Sequence, residues 1–235
     1  MINKINIAID GHSSCGKSTI AKVISKKYQM KYVDTGAMYR AITLYCLKNN
    51  LINKNKVNEG MLQKHISDIN VEFKYNNMSK ISETFLNGKN VENNIRSLEV
   101  SDSVSFVARI SLVRQKLVFL QQAIAKNKNV VMDGRDIGTK VLPEAEIKFF
   151  ITAHPEIRAN RRWKELIMNG SNVTFKEVLN NIITRDNNDM SRKLNPLQIA
   201  KDAIEINNSN ITLDDQNNII FDYIDKFYRN EYRNR

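Results

Sequence analysis

Gly11-His12-Ser13-Ser14-Cys15-Gly16-Lys17-Ser18 sets the start of the fold. It fits G-x-x-x-x-G-K-[ST] at every defined position, the pattern of a loop whose backbone N–H groups turn inward around phosphate oxygens. The flanks agree with it. Ile5-Asn6-Ile7-Ala8-Ile9 alternates as a short strand before the loop, and Thr19 to Lys27 carries Ile20, Val23 and Ile24 at helical spacing after it. A strand, a glycine-bearing turn and a helix N-terminus in that order form an anion site, because the helix end adds partial positive charge. In such a site Lys17 is expected to reach the β- and γ-phosphates of a nucleoside triphosphate, and the Ser18 hydroxyl to hold Mg²⁺. His12 reads as a solvent-facing loop residue and not a catalytic imidazole, and Cys15 as a small filler of the loop.

Further along, a short extended piece at Tyr32-Val33 meets a turn at Asp34-Thr35-Gly36, and a helix then carries Met38, Ile42, Tyr45 and Leu47 to about Asn49. Between about Asn70 and Val91 the period changes to two, in Val71 to Tyr75 and again in Ile81 to Leu86. Asn-Asn and Asn-Gly turns separate these runs, so a small antiparallel insert is expected there. Ser97 to Ala125 reads as one uninterrupted helix. Val130-Val131-Met132, ending at Asp133, and Ile147 to Ile151 read as buried strands. Helices follow at about Pro155 to Met168, Phe175 to Asn187 and Asp214 to Tyr228. Strands and helices alternating in this way predict an α/β fold, a parallel sheet with helices on both faces and a ligand at the carboxyl ends of the strands.

At 235 residues the chain is long enough to bury a full core, and one domain with insertions is the simplest expectation. No apolar run approaches the roughly 18 residues of a membrane helix, and Met1 to Asp10 reads as a first strand rather than a signal peptide. Two cysteines make no disulfide framework, so a reducing cytoplasm is expected. The 36 Lys+Arg against 25 Asp+Glu give a net charge of +11, which favours anionic partners. Lysines are scattered and read as solvated surface. Arginines instead group with Asp: Arg135-Asp136, Arg158/Arg161/Arg162, Arg185-Asp186, Asp189 and Arg192, a grouping suited to bidentate phosphate recognition.

Neither N-K-x-D nor D-x-x-G occurs, which removes the GTPase reading and leaves a small kinase. Four segments then carry a family resemblance: Asp34-Thr35-Gly36-Ala37-Met38-Tyr39-Arg40, Asp133-Gly134-Arg135-Asp136-Ile137-Gly138-Thr139, Arg185-Asp186-x-x-Asp189-x-x-Arg192, and Pro196-Leu197-x-x-Ala200-x-Asp202-Ala203. In order and spacing the chain resembles the bacterial cytidylate kinases from its first strand to its final helix. The loop departs from the family at His12, Ser14 and Cys15, where Pro, Gly and a small residue are usual. Asn207-Asn208-Ser209 stands for a more usual Asp-Thr-Ser, and Lys140 for an apolar residue.

The resemblance implies a P-loop core with an antiparallel insert on the acceptor side, about 58–97, and a short helical lid, about 155–170. It implies transfer of the γ-phosphoryl group of ATP, with Mg²⁺, to CMP or dCMP. The ATP-binding set is then Gly11, His12, Ser13, Ser14, Cys15, Gly16, Lys17, Ser18 and Thr19, with Arg158 and Arg161 of the lid, and Ser18 is the metal-holding residue. Thr35 and Arg40 take the acceptor phosphate, while Ser105 and Arg114 serve the base and its phosphate region. Arg135, Arg185 and Arg192 meet phosphates, Asp136 fixes the cytosine amino group or a neighbouring arginine, and Asp189 reads the ribose. Arg185, Asp189 and Arg192 lie at i, i+4 and i+7, one face of a helix. No general base is needed, since the acceptor phosphate has its second pKa near 6 and is largely a dianion at pH 7. The expected partners are small molecules, with no nucleic acid or membrane, and the expected state is a monomer. UMP or a non-nucleotide remains open as acceptor, as does a basic P-loop protein that binds RNA.

Overall fold

The computed structural model describes residues 4–53, 56–76 and 81–233. The chain opens with β1 (Asn6–Gly11), α1 (Lys17–Tyr28), β2 (Lys31–Asp34) and α2 (Thr35–Lys48). Two-residue strands β3 (Ile52–Asn53) and β4 (Lys56–Val57), then α3 (Glu59–His65), lead to β5 (Val71–Asn76), β6 (Ile81–Leu86) and β7 (Lys89–Asn90). Next come α4 (Leu98–Val107), α5 (Ser111–Ala125), β8 (Val130–Asp133) and β9 (Ile147–Thr152). The chain ends with α6 (Pro155–Met168), α7 (Phe175–Ser191), β10 (Ile204–Asn207) and α8 (Leu213–Arg233). Two compact units result, one of Met1–Tyr32 with Ala125–Arg235 and one of Val33–Ile124. The expected insert at about 58–97 falls inside the second unit, and the expected lid at about 155–170 inside the first. Among the described residues no helix is long and apolar enough to cross a membrane.

The five-stranded sheet runs β10-β9-β1-β8-β2. Its pairs are parallel: Ile7 lies level with Val131 on β8 and with Ile147 on β9, and Ile206 of β10 with Ile151. Successive side chains alternate between faces. One face presents Ile7, Ile9, Val131, Phe149, Ile151 and Ile206, which pack with Ile20 and Ile24 of α1 and Ile220 and Ile224 of α8. Each of these buried apolar side chains contributes roughly 1.5–3 kcal/mol, so this face holds the unit together. The other face of the same strands carries Ala8, Asp10, Lys148 and Phe150, and with them the chemistry described below. β10 is a strand that hydropathy did not reveal. Helices α6 and α7 close on their own small core of Ala159, Val178 and Ile182, with Trp163 against it.

The second unit buries Met38, Ala41 and Ile42 of α2 against Ile95, Val100, Val107, Val113 and Leu117. Its β5-β6-β7 sheet is antiparallel, with Val71 opposite Leu86, and Asn87-Gly88 turns β6 into β7 with φ of 47° and 78°. Those paired positive angles belong to the turn that matches strand twist, and Asn-Gly adopts them readily. The Asn-Asn turn expected between β5 and β6 falls on 77–80, outside the described residues. The single helix expected over Ser97 to Ala125 is in fact two, α4 and α5, broken at 108–110. At the end of α4 the Ile110 N–H donates to the Val107 carbonyl at 3.1 Å and the buried Arg114 side chain to the Ala108 carbonyl at 3.1 Å, so a short turn and a side chain together satisfy it.

Candidate active site

β1 delivers the chain into the phosphate loop through Gly11, whose φ is 145°. A Cβ there would lie 2.0 Å from the Ile151 carbonyl oxygen of β9, so no side chain fits. α1 begins at Lys17, which points the N-terminal N–H groups of that helix at the loop. Lys17 is buried, and its ammonium donates to the His12 carbonyl at 2.5 Å and to Cys15 Sγ at 3.6 Å. Burial, with the nearby Arg135 adding repulsion, pushes its pKa below the usual lysine value. A desolvated cation gains by meeting an anion, which suits a phosphate ligand. Cys15 is also fully buried, and its thiol donates to the His12 carbonyl at 3.1 Å, so it fills the loop as expected from its size.

Ser18 donates from its hydroxyl to Asp133 Oδ2 at 2.9 Å, and the Tyr32 hydroxyl donates to Asp133 Oδ1 at 2.9 Å. Asp133 ends the buried strand β8 and is itself buried. A serine hydroxyl beside one carboxylate offers hard oxygen donors, the kind Mg²⁺ takes when phosphates and waters complete its octahedron. No group of three or more His, Cys, Asp or Glu side chains able to hold a metal occurs among the described residues. The donor set therefore fits a metal held jointly with a nucleotide, not one caged by protein.

The loop is fastened from outside by three buried groups. Asp186 of α7 receives the Ser13 N–H at 3.5 Å and pairs through Oδ2 with Arg158 Nη1 at 2.6 Å. Arg158 also donates to the carbonyls of Ser13, at 3.2 Å, and Ala153, at 2.8 Å. Asn208 donates to the Cys15 carbonyl at 2.8 Å and to Gln216 Oε1 at 2.6 Å, and Arg161 grips Asn208 through both its Oδ1 and its backbone carbonyl at 2.9 Å. Burial alone would raise the Asp186 pKa, but the adjacent His12 and Arg158 side chains hold it below the usual carboxylate range. His12 does not face solvent as a loop histidine was expected to. Its ring sits edge-on to Phe150 with centroids 5.9 Å apart, and Nδ1 lies 3.5 Å from Asp186, because the buried carboxylate draws it inward. Among the described residues, Arg162 of the lid pairs with its helical neighbour Glu165, at 2.9 Å.

Two further motifs meet in the same unit. Arg135 donates from Nε to Asp189 at 2.8 Å, and Arg192 contacts Asp136 at 3.4 Å and Asp189 at 3.7 Å. Arg192 is not on the helix face that its spacing predicts. α7 ends at Ser191, Arg192 turns to φ −63° and ψ 140°, and its Nε donates to the Asn195 carbonyl at 2.6 Å. This extended turn directs the side chain into the cluster. Arg185 stays on α7, partly buried, one turn before Asp189.

In the second unit Asp34 caps α2, accepting the Ala37 N–H at 2.9 Å. Its Oδ2 also takes Arg40 at 3.0 Å and Arg96 at 3.1 Å, so two guanidinium groups converge on one oxygen. Burial opposes the charge on Asp34, yet the two arginines hold its carboxyl below the usual range. Thr35, the first residue of α2, is buried. The buried Arg114 of α5 lies over the Tyr39 ring, 5.6 Å from its centroid, and Ser105 sits partly buried on α4. Arg96 and Glu92, linked at 2.7 Å, received no role from the sequence. Nor did Asp10, Asp186 or Asn208, whose work shows only in their contacts, although Asp186 stands in the third motif and Asn208 departs from the family pattern.

A parallel sheet whose first strand ends in this loop, with a serine–aspartate pair and an arginine cluster at its mouth, defines a P-loop phosphotransferase. Residues 7–226 match the family model described as Cytidylate kinase. The chain is 49% identical over 215 residues to the cytidylate kinase of Parabacteroides distasonis, spanning 92% of this chain and 94% of that protein. It is 50% identical to that of Flavobacterium johnsoniae over the same shares, and 49% identical to that of Flavobacterium psychrophilum over 95% of this chain and 99% of that one. The chain belongs to the cytidylate kinase family, whose chemistry is phosphoryl transfer to a nucleoside monophosphate.

Proposed function

We propose that this protein transfers the γ-phosphoryl group of Mg·ATP to CMP or dCMP, yielding CDP or dCDP and ADP. The observation that carries the reading is the pairing of Arg135 with Asp189 and of Arg192 with Asp136, which unites two family motifs in the unit that holds Lys17. Its acceptor oxygen is already a dianion's, so the protein supplies position and positive charge instead of a base. Lys17 and the loop N–H groups hold the β- and γ-phosphates. Arg135, Arg185 and Arg192 balance charge on the phosphoryl group in flight. A bound Mg²⁺, held through Ser18 with Asp133 behind it, supplies neutralisation of the phosphate oxygens. From the second unit, Thr35 and Arg40 take the acceptor phosphate, with Ser105 and Arg114 serving the base. Asp136 and Asp189 select the cytosine amino group and the ribose. Arg158 and Arg161 act on ATP by stiffening its loop through Ser13 and Asn208. The free, buried Cys15 and Cys46 suit a reducing cytoplasm, and the unit of action is a monomer.

A coupled assay of ADP release with CMP, dCMP, UMP, AMP and no acceptor tests this. Strong turnover with CMP and dCMP alone is expected, and Arg192→Ala should lower kcat at least about a hundredfold with a milder effect on ATP binding. Turnover with AMP or UMP instead would overturn the specificity. Acceptor-independent hydrolysis alone would overturn the reaction.

A further inference from the structure

The last side chain of β1 before the phosphate loop is a buried acid with no part in the contacts just proposed. Asp10 is 4% exposed, and its two carboxylate oxygens accept separate backbone N–H bonds, from Ile137 at 2.8 Å and Gly138 at 2.7 Å. Those donors open the π-helical turn Ile137–Val141, which directly follows Arg135 and Asp136. A second buried charge reaches the same segment from β9. Lys148, 7% exposed, donates to the Pro143 carbonyl at 2.5 Å and pairs with Asp202 at 2.8 Å. Lys148 lies level with Ala8 and Asp10 with Phe150, so both charges rise from one sheet face. Gly138 is seated between them: a Cβ on it would lie 3.1 Å from Lys148 Cδ and 3.4 Å from Asp10 Oδ2.

A buried carboxylate is costly unless both oxygens are satisfied. Here one turn satisfies both, so the carboxylate and the turn fix one another. Asp202 of the fourth motif, although it lies on the surface, completes the shell of Lys148. We propose that Asp10 is a positioning residue for phosphoryl transfer, which with Lys148 holds the 134–143 segment so that Arg135 and Asp136 keep their geometry. This rests on the kinase reading above.

Asp10→Asn preserves shape and one acceptor but turns an N–H₂ group toward a backbone donor. Expected are a kcat for CMP lower by tenfold to a hundredfold, about what a 1 Å displacement costs, and Mg·ATP affinity within about threefold of wild type. Hydrogen exchange of the 134–143 peptide should quicken about tenfold while that of the 11–18 peptide stays unchanged. Lys148→Met should act in the same direction more weakly, and it carries the test alone if Asp10→Asn does not fold. Wild-type kcat, an equal loss of ATP affinity, or unaltered exchange over 134–143 would each overturn the assignment. The exchange readout needs no acceptor, so a wild-type enzyme inactive with CMP would refute the kinase reading and leave this one to be judged separately.

Discussion

Ser14 is held at φ 58°, in the left-handed region, at a loop position where glycine is usual in the family it resembles. For a side chain bearing Cβ, that conformation costs about 1–2 kcal/mol. Replacing it with glycine removes the strain but adds about 0.4–1 kcal/mol of unfolded-chain entropy. The balance predicts that Ser14→Gly stabilises the protein by roughly 0.5–1 kcal/mol, read as a Tm higher by about 1–4 °C. A Tm unchanged or lowered would show that the Ser14 side chain makes a compensating contact. The substitution was visible in the sequence as a departure from the family, but its conformation was not. The same holds for Asp10 and Asn208: a strand-ending Asp and an Asn-rich stretch look ordinary until their partners are known, and those partners lie 127 and 193 residues away.

Among the elements, α7 bears the most on the loop. Its Asp186 and the Arg158 of α6 form an ion pair with side chains 7% and 3% exposed. Breaking such a pair strands a buried charge, which costs about 3–5 kcal/mol, whereas an apolar replacement of both partners is far milder. Asp186→Ala should therefore lower Tm by roughly 6–20 °C, and Asp186→Leu combined with Arg158→Met should recover most of that loss. Calorimetry on the three proteins decides it, and a double variant as unstable as the single one would refute the charge-stranding account. α7 itself was legible from periodicity, as were β1, α1, α6 and the β6–β7 turn, because each carries its signal locally. The break between α4 and α5 was not, since the contact that seals it comes from Arg114, six residues further on. Nor was β10, whose four residues gain strand character only by lying beside β9. Arg192 misled for a related reason. Spacing alone put it on a helix that ends one residue earlier.

For the molecule as a whole, buried acids pull the pH dependence in opposite directions. Asp34 and Asp186 have carboxyls held below their ordinary range, so their contribution is present at neutral pH and lost as pH falls through their folded values. Asp10 behaves in the reverse sense. Burial pushes it up to about 6 from an ordinary 3.8, the two N–H bonds only partly opposing this. Between those values the folded protein keeps a proton that the unfolded chain has released. Its contribution is thus largest on the acid side and declines as pH rises to about 6, then stays level. The step from 3.8 to about 6 is worth about 3 kcal/mol. Asp10→Asn cannot titrate, so whatever stability difference separates it from wild type at pH 7 should shift in favour of wild type by about 1.4 kcal/mol at pH 5. Urea unfolding of both proteins at the two pH values, monitored separately for probes in each compact unit, measures it. A difference that stays constant would mean that Asp10 keeps an ordinary pKa, with its two N–H bonds compensating burial in full.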